Sequence, residues 1–297
     1  MNDIDPAPYD AIFFDMDGTL LPMPVRRFLE TYYRELEGKL RREGRDAGLF
    51  LHALNRGMHS MSDHPSDLTN ADAFWATFCA TYEDQEMPLN LQQQAEARDF
   101  LMDFYANEFE RCGEGIVPNP AANRAVQTLR AKGYPLYLTT MPLFPREGVL
   151  ARLQWAAVDH TAFARITTFD NSTAVKPQTA FYHENLAIAD ALDEPGRVLM
   201  VGNNTIDDLS CLSTGMDAYL VLDELINEND FDIGSVKHGS LAEFAAWAQE
   251  LPPCTSTRAL RGYPNRSPLD GGFATASGRE AKPVPLWDGH AGASPER

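Results

Sequence analysis

Short apolar runs along the chain are separated by longer stretches in which apolar residues recur every three or four positions, and the two patterns predict different elements. The runs at 11–14 (Ala-Ile-Phe-Phe), 134–139, 165–169, 197–201 and 218–222 read as buried strands bounded by polar turns. A helix is expected over 121–132, where Gly133 supplies a left-handed cap, and another after the run ending at 201. Strands alternating with helices predict an α/β fold, a doubly wound parallel sheet of Rossmann-like type with right-handed crossovers.

The first and second strands lie too far apart for this scheme. About 125 residues separate Asp15 from Thr140, where a strand-helix-strand unit needs only about 30 or slightly more. Four segments in the gap, 24–42, 46–58, 69–83 and 90–111, are long enough for helices and carry the matching apolar spacing, as at Phe74, Phe78 and Tyr82. The expected organisation is a core over 8–22 and 113–250 interrupted by an all-helical module over 23–112. From Leu251 onward 13 of 47 residues are Gly or Pro, which predicts a disordered tail over 251–297.

Composition narrows the class of partner. Hydrophobic residues at 44% and charged residues at 23% are ordinary globular values. A formal net charge of −18 would repel a phosphate backbone, so nucleic acid is an unfavourable partner. No apolar run approaches the roughly 18 residues of a membrane span, and Met1 to Asp10 lacks the basic and apolar regions of a secretory signal; a cytoplasmic location away from membranes is expected. Cys79, Cys112, Cys211 and Cys254 show no paired spacing, so neither zinc nor a disulfide framework is indicated.

Placed on the expected strands, the polar residues gather at one edge. Asp15 and Asp17 follow the first strand, Thr140 the second, Lys176 the loop after the third, and Asn203, Asp207 and Asp208 the fourth. Carboxyl ends of strands are where open α/β sheets bind ligands. Convergent carboxylates form a hard oxygen site suited to Mg²⁺, and the metal with Lys176 would leave room for an anion such as phosphate.

Asp15-Met16-Asp17-Gly18-Thr19 after four apolar residues, the strand-end Thr140, Lys176-Pro177, and Gly202 followed by Asp207 and Asp208 resemble the four ordered motifs of the haloacid dehalogenase superfamily. The inserted helices resemble that superfamily's cap of the first type. The resemblance implies that Asp15 is a nucleophile forming an aspartyl-phosphate and that Asp17 is the general acid and then base. It implies further that Thr140 binds the transferring oxygens, with Gly18, Thr139 and Met141 beside the substrate, and that Lys176 neutralises charge. Mg²⁺ would be held by Asp15, Asp17, Asn203 and Asp207 or Asp208. The family's dehalogenases lack the second Asp, so Asp17 points to hydrolysis of a small phosphorylated metabolite. A phosphomutase, and a weakly catalytic ligand-binding relative, are the alternatives. Two departures stand out: Met141 occupies a position that is commonly Asn, and Asn203 and Asn204 stand where the fourth motif usually begins with an acid.

Overall fold

The computed structural model describes residues 8–256. Its sheet has six parallel strands in the order β3-β2-β1-β4-β5-β6, made of β1 (Ala11–Phe14), β2 (Leu136–Leu138), β3 (Arg165–Ile166), β4 (Val198–Gly202), β5 (Asp217–Val221) and β6 (Lys237–Gly239). The continuous apolar runs are explained by burial on both faces. Ile12, Phe14, Leu136, Leu138, Leu199 and Val201 enter one apolar cluster, while Ala11, Phe13, Tyr137, Val198 and Met200 enter the opposite one. Successive residues of a strand point to opposite faces, so neither face tolerates a polar residue.

Four helices make up the insert after β1: α1 (Val25–Arg42), α2 (Ala47–Ser60), α3 (Asn70–Glu83) and α4 (Leu91–Asn107). Their starts are legible in side-chain caps. Asp46 accepts from the Leu49 amide, and Thr69 with Asp72 and Asn90 with Gln93 each form reciprocal capping boxes. The fourth helix stops at Asn107 rather than 111, and its last residues tighten into a 3-10 turn, Phe109–Gly113. Phe74, Trp75 and Phe78 fill the space between these helices as edge-on and stacked rings.

After the insert come α5 (Pro120–Ala131), α6 (Arg146–Trp155), α7 (Thr179–Ile188) and α8 (Leu241–Glu250). Gly133 takes the left-handed conformation expected of it, with φ +82°. The helix expected after β4 is instead a 3-10 turn, Leu209–Thr214, because a polar turn uses the first residues beyond the strand and Gly215 (φ +89°) ends the remainder. The third strand is shorter than expected for a local reason. Asn171 accepts from the Thr168 amide and donates to the Ile166 carbonyl, so its side chain replaces the ladder partner.

The expected boundary at Leu251 moves outward. Tyr134 Oη donates to the Pro252 carbonyl at 3.0 Å, and the Cys254 amide donates to the Lys132 carbonyl at 2.7 Å, so residues up to Ser256 lie against the body. The rest of the expected disordered tail lies outside the described residues. Among those described, no helix is long and apolar enough to cross a membrane, and all four cysteines are free thiols.

Candidate active site

The order of the sheet reverses direction beside β1, with β2 on one side and β4 on the other, and the chain leaves both neighbours at the same edge. Asp15 follows β1 directly, and its amide donates to the Val201 carbonyl of β4 at 2.8 Å. Thr140 stands next to it, because the preceding Thr139 amide donates to the Phe14 carbonyl at 2.8 Å. Strand pairing therefore sets the two backbones side by side at this edge.

Lys176 is the centre of charge. Buried at 1% exposure, its ammonium donates to Asp15 Oδ1 at 2.8 Å and to Asp208 Oδ1 at 2.6 Å. Burial works against its charge, but the two carboxylates outweigh that penalty and hold its pKa above the ordinary lysine range. The other oxygen of Asp208 accepts the backbone amides of Asn203 and Asn204, both at 2.9 Å. Only glycine fits at 202, since a Cβ there would lie 2.2 Å from Asp208 Cγ.

Asp17 faces a residue that the sequence did not single out. Its Oδ2 accepts from Nη1 of Arg152, a side chain 1% exposed on α6, whose Nε donates to the Gly148 carbonyl at 3.2 Å. The guanidinium carbon lies 4.4 Å from the centre of the Phe144 ring. Phe144 packs in turn on Phe28 and Tyr32 of α1 and on Tyr105 of α4. The inserted helices thus brace the cation that braces Asp17. Burial raises the Asp17 pKa, with Arg152 opposing and Asp15 reinforcing the rise. Asp207 is half-buried and also raised, first by burial and then, against the pull of Lys176, by the charge of Asp15.

The insert also fastens the loops that carry the site. The Asn70 side-chain amide at the start of α3 donates to the Pro142 and Ala174 carbonyls, both at 3.2 Å, and Gln178 reaches back to the Ser62 carbonyl at 2.6 Å. These bonds join the segment after β2 and the segment before Lys176 to one helix end.

Several expected residues take other roles. Thr139 donates to the Phe14 carbonyl at 3.3 Å and is fully buried in the sheet, so it does not reach the substrate side. Gly18 is a backbone device: its amide is bonded to the Leu21 carbonyl, its φ is +84°, and a Cβ would meet Asn203 Nδ2 at 2.3 Å. Met141 is half-buried against the apolar cluster and packs rather than hydrogen-bonds. Thr19, absent from the expected set, donates to Asp15 Oδ2 at 3.3 Å and to Asn203 Oδ1 at 3.0 Å, and so lies between them.

Mg²⁺ usually keeps several waters and takes one or two carboxylates beside a substrate phosphate, and Asp15 and Asp207, close enough to feel each other's charge, bring two to this edge. Asp208 has both oxygens engaged, the Asp17 carboxylate rests on Arg152, and Asn203 brings a neutral amide that already accepts from Thr19. Among the described residues no three His, Cys, Asp or Glu side chains are grouped to hold a metal. Of the residues expected to hold Mg²⁺, Asp15 and Asp207 could do so with Asn203 as a neutral oxygen, whereas the Asp17 and Asp208 side chains are committed to Arg152 and to Lys176 with the loop amides.

A family model described as haloacid dehalogenase-like hydrolase matches residues 9–212. The chain belongs to this family. Among solved structures, this hydrolase is similar to a protein from Haemophilus somnus 129pt described as a predicted phosphoglycolate phosphatase, at 17% identity over 82% of this chain and 99% of that one, with a TM-score of 0.46. It is similar as well to an L-2-haloacid dehalogenase from Xanthobacter autotrophicus (15% identity, 80% and 88% covered, TM-score 0.41) and to the defluorinating L-2-haloacid dehalogenase Rha0230 (13%, 82% and 98%, 0.48). No protein of curated function matches it. The family has members with different chemistries, so the activity of this hydrolase has to be argued from its own residues.

Proposed function

We propose that this hydrolase cleaves a small phosphomonoester through a covalent aspartyl-phosphate on Asp15. One observation carries the reading: a second carboxylate, Asp17, lies two residues on, half-buried, with one oxygen fixed by Arg152 and the other enclosed and unpartnered. Phosphoryl transfer to a carboxylate needs such a group to supply a proton to the departing alkoxide and to take one from the attacking water.

In this reading the oxygen of Asp15 not bonded to Lys176 attacks phosphorus as the bond to the ester oxygen breaks. Asp17 gives that oxygen its proton. Lys176 and the Thr140 hydroxyl, buried and free of any protein partner, stabilise charge on the transferring oxygens. Water then attacks the aspartyl-phosphate, Asp17 accepts its proton, and inorganic phosphate leaves with Asp15 restored. Mg²⁺ held by Asp15 and Asp207 would add positive charge against the transferring oxygens. The helical insert bound to the loops around the site favours a small substrate over a protein or nucleic acid, and the net charge of −18 agrees. Phosphate release from a panel of small phosphate esters, with Mg²⁺ and with chelator, tests the proposal; failure on every ester under both conditions contradicts it.

A further inference from the structure

Among the described residues, three buried side-chain polar atoms lack a hydrogen-bond partner: Asp17 Oδ1, Thr140 Oγ1 and Arg152 Nη2. All three belong to one neighbourhood. Thr140 adjoins Asp15 through the strand pairing, Asp17 lies on the same turn as Asp15, and Arg152 is bonded to Asp17. Buried donors and acceptors are satisfied elsewhere in folded proteins, so a cluster of unmet ones signals a ligand with matching groups. Two of the atoms are donors and one is a carboxylate oxygen. A phosphate ester is complementary to that set, with anionic oxygens for the donors and an ester oxygen to share a proton with the carboxylate.

We propose that Arg152 is a further substrate-binding residue, taking a phosphoryl oxygen through Nη2 while Nη1 holds Asp17 beside the leaving group. The inference rests on the phosphomonoester reading and extends it to a residue outside the four motifs. The guanidinium is committed on its other sides: Nε is tied to the Gly148 carbonyl, Nη1 holds Asp17 and its face rests on Phe144, so Nη2 remains to be filled. A planar fork can hold a carboxylate and a phosphoryl oxygen at once, which a lysine ammonium does with less geometric control.

Inorganic phosphate is the probe, titrated calorimetrically into the full chain. Removing Arg152 alone would leave the half-buried Asp17 without its partner, so the comparison is between Asp17→Asn and the double variant Asp17→Asn with Arg152→Gln, each checked for an unchanged melting temperature. The expected result is at least tenfold weaker phosphate binding in the double variant than in Asp17→Asn. Arg152→Lys, which keeps the ion pair but not the fork, is expected to raise KM for the best ester severalfold, with a smaller effect on kcat. Phosphate affinities within twofold of each other, or an unchanged KM in Arg152→Lys, would overturn the proposal. Wild-type turnover is measured alongside. If esters are hydrolysed while phosphate affinity ignores residue 152, this inference fails and the phosphomonoester reading stands. If no ester is hydrolysed, that reading fails, and the phosphate affinities still decide whether Arg152 binds an oxyanion.

Discussion

At the scale of single residues, the site divides into groups whose neighbours follow from strand pairing and groups whose neighbours come from the tertiary fold. Asp15, Thr140 and Lys176 were legible because each sits where a strand or its loop ends, and Lys176 does reach Asp15 at 2.8 Å. Arg152 was not: it is one of two arginines in α6, and nothing local distinguishes it until α6 is laid over the turn that carries Asp17. Asp17→Asn is expected to slow the chemical step by ~10²–10⁴, the usual worth of general acid–base catalysis, measured by single-turnover phosphate release. An unchanged single-turnover rate would remove Asp17 from that role. The structure also separates the two asparagines. Asn203 Oδ1 lies beside Thr19 and thus on the Asp15 side, whereas Asn204 Nδ2 donates to Asp207 Oδ2 at 2.9 Å. Asn203→Asp should therefore raise Mg²⁺ affinity, because it adds a carboxylate on the Asp15 side, while Asn204→Asp removes the amide that holds Asp207 and should raise it less. Thermal shift on Mg²⁺ addition reads the difference; a larger shift for Asn204→Asp would reverse the assignment.

At the scale of elements, periodicity located the strands around β1 and the four inserted helices, since each has an apolar face and most have a side-chain cap. It missed β6, whose Lys237-His238-Gly239 has no apolar signal because the strand is an exposed edge. It overextended β3 and turned the 3-10 segment after β4 into a helix, in both cases because polar side chains replaced backbone partners near the site. The turn after β1 is the least replaceable of these elements. Gly18→Ala would put a left-handed residue in place with its Cβ only 2.3 Å from Asn203 Nδ2. Left-handed strain alone costs ~1–2 kcal/mol, and displacing Asn203 would also break its 2.6 Å bond to the Glu224 carbonyl. A lowered urea midpoint with loss of activity is expected, and a midpoint equal to wild type would show that the turn relaxes freely.

At the scale of the whole molecule, the sheet and its two apolar faces set the position of the site, and the inserted helices hold its loops through Asn70, Gln178 and the rings around Phe144. Composition predicted a tail from 251, yet Pro252 and Cys254 engage the body, through backbone groups that leave no mark in the sequence. Truncation after Leu251 removes those two hydrogen bonds, each worth ~0.5–1.5 kcal/mol net, and is expected to lower Tm by a few degrees in calorimetry; an unchanged Tm would show that the contacts contribute nothing. The central claim is the covalent use of Asp15, and mass spectrometry of the peptide containing it, after rapid acid quench of a reaction with the best phosphate ester, tests that claim most directly. The account expects a transient mass gain of one phosphoryl group on Asp15, absent in Asp15→Asn. Ester hydrolysis with no phosphorylated Asp15 at any quench time, or full activity in Asp15→Asn, would contradict it.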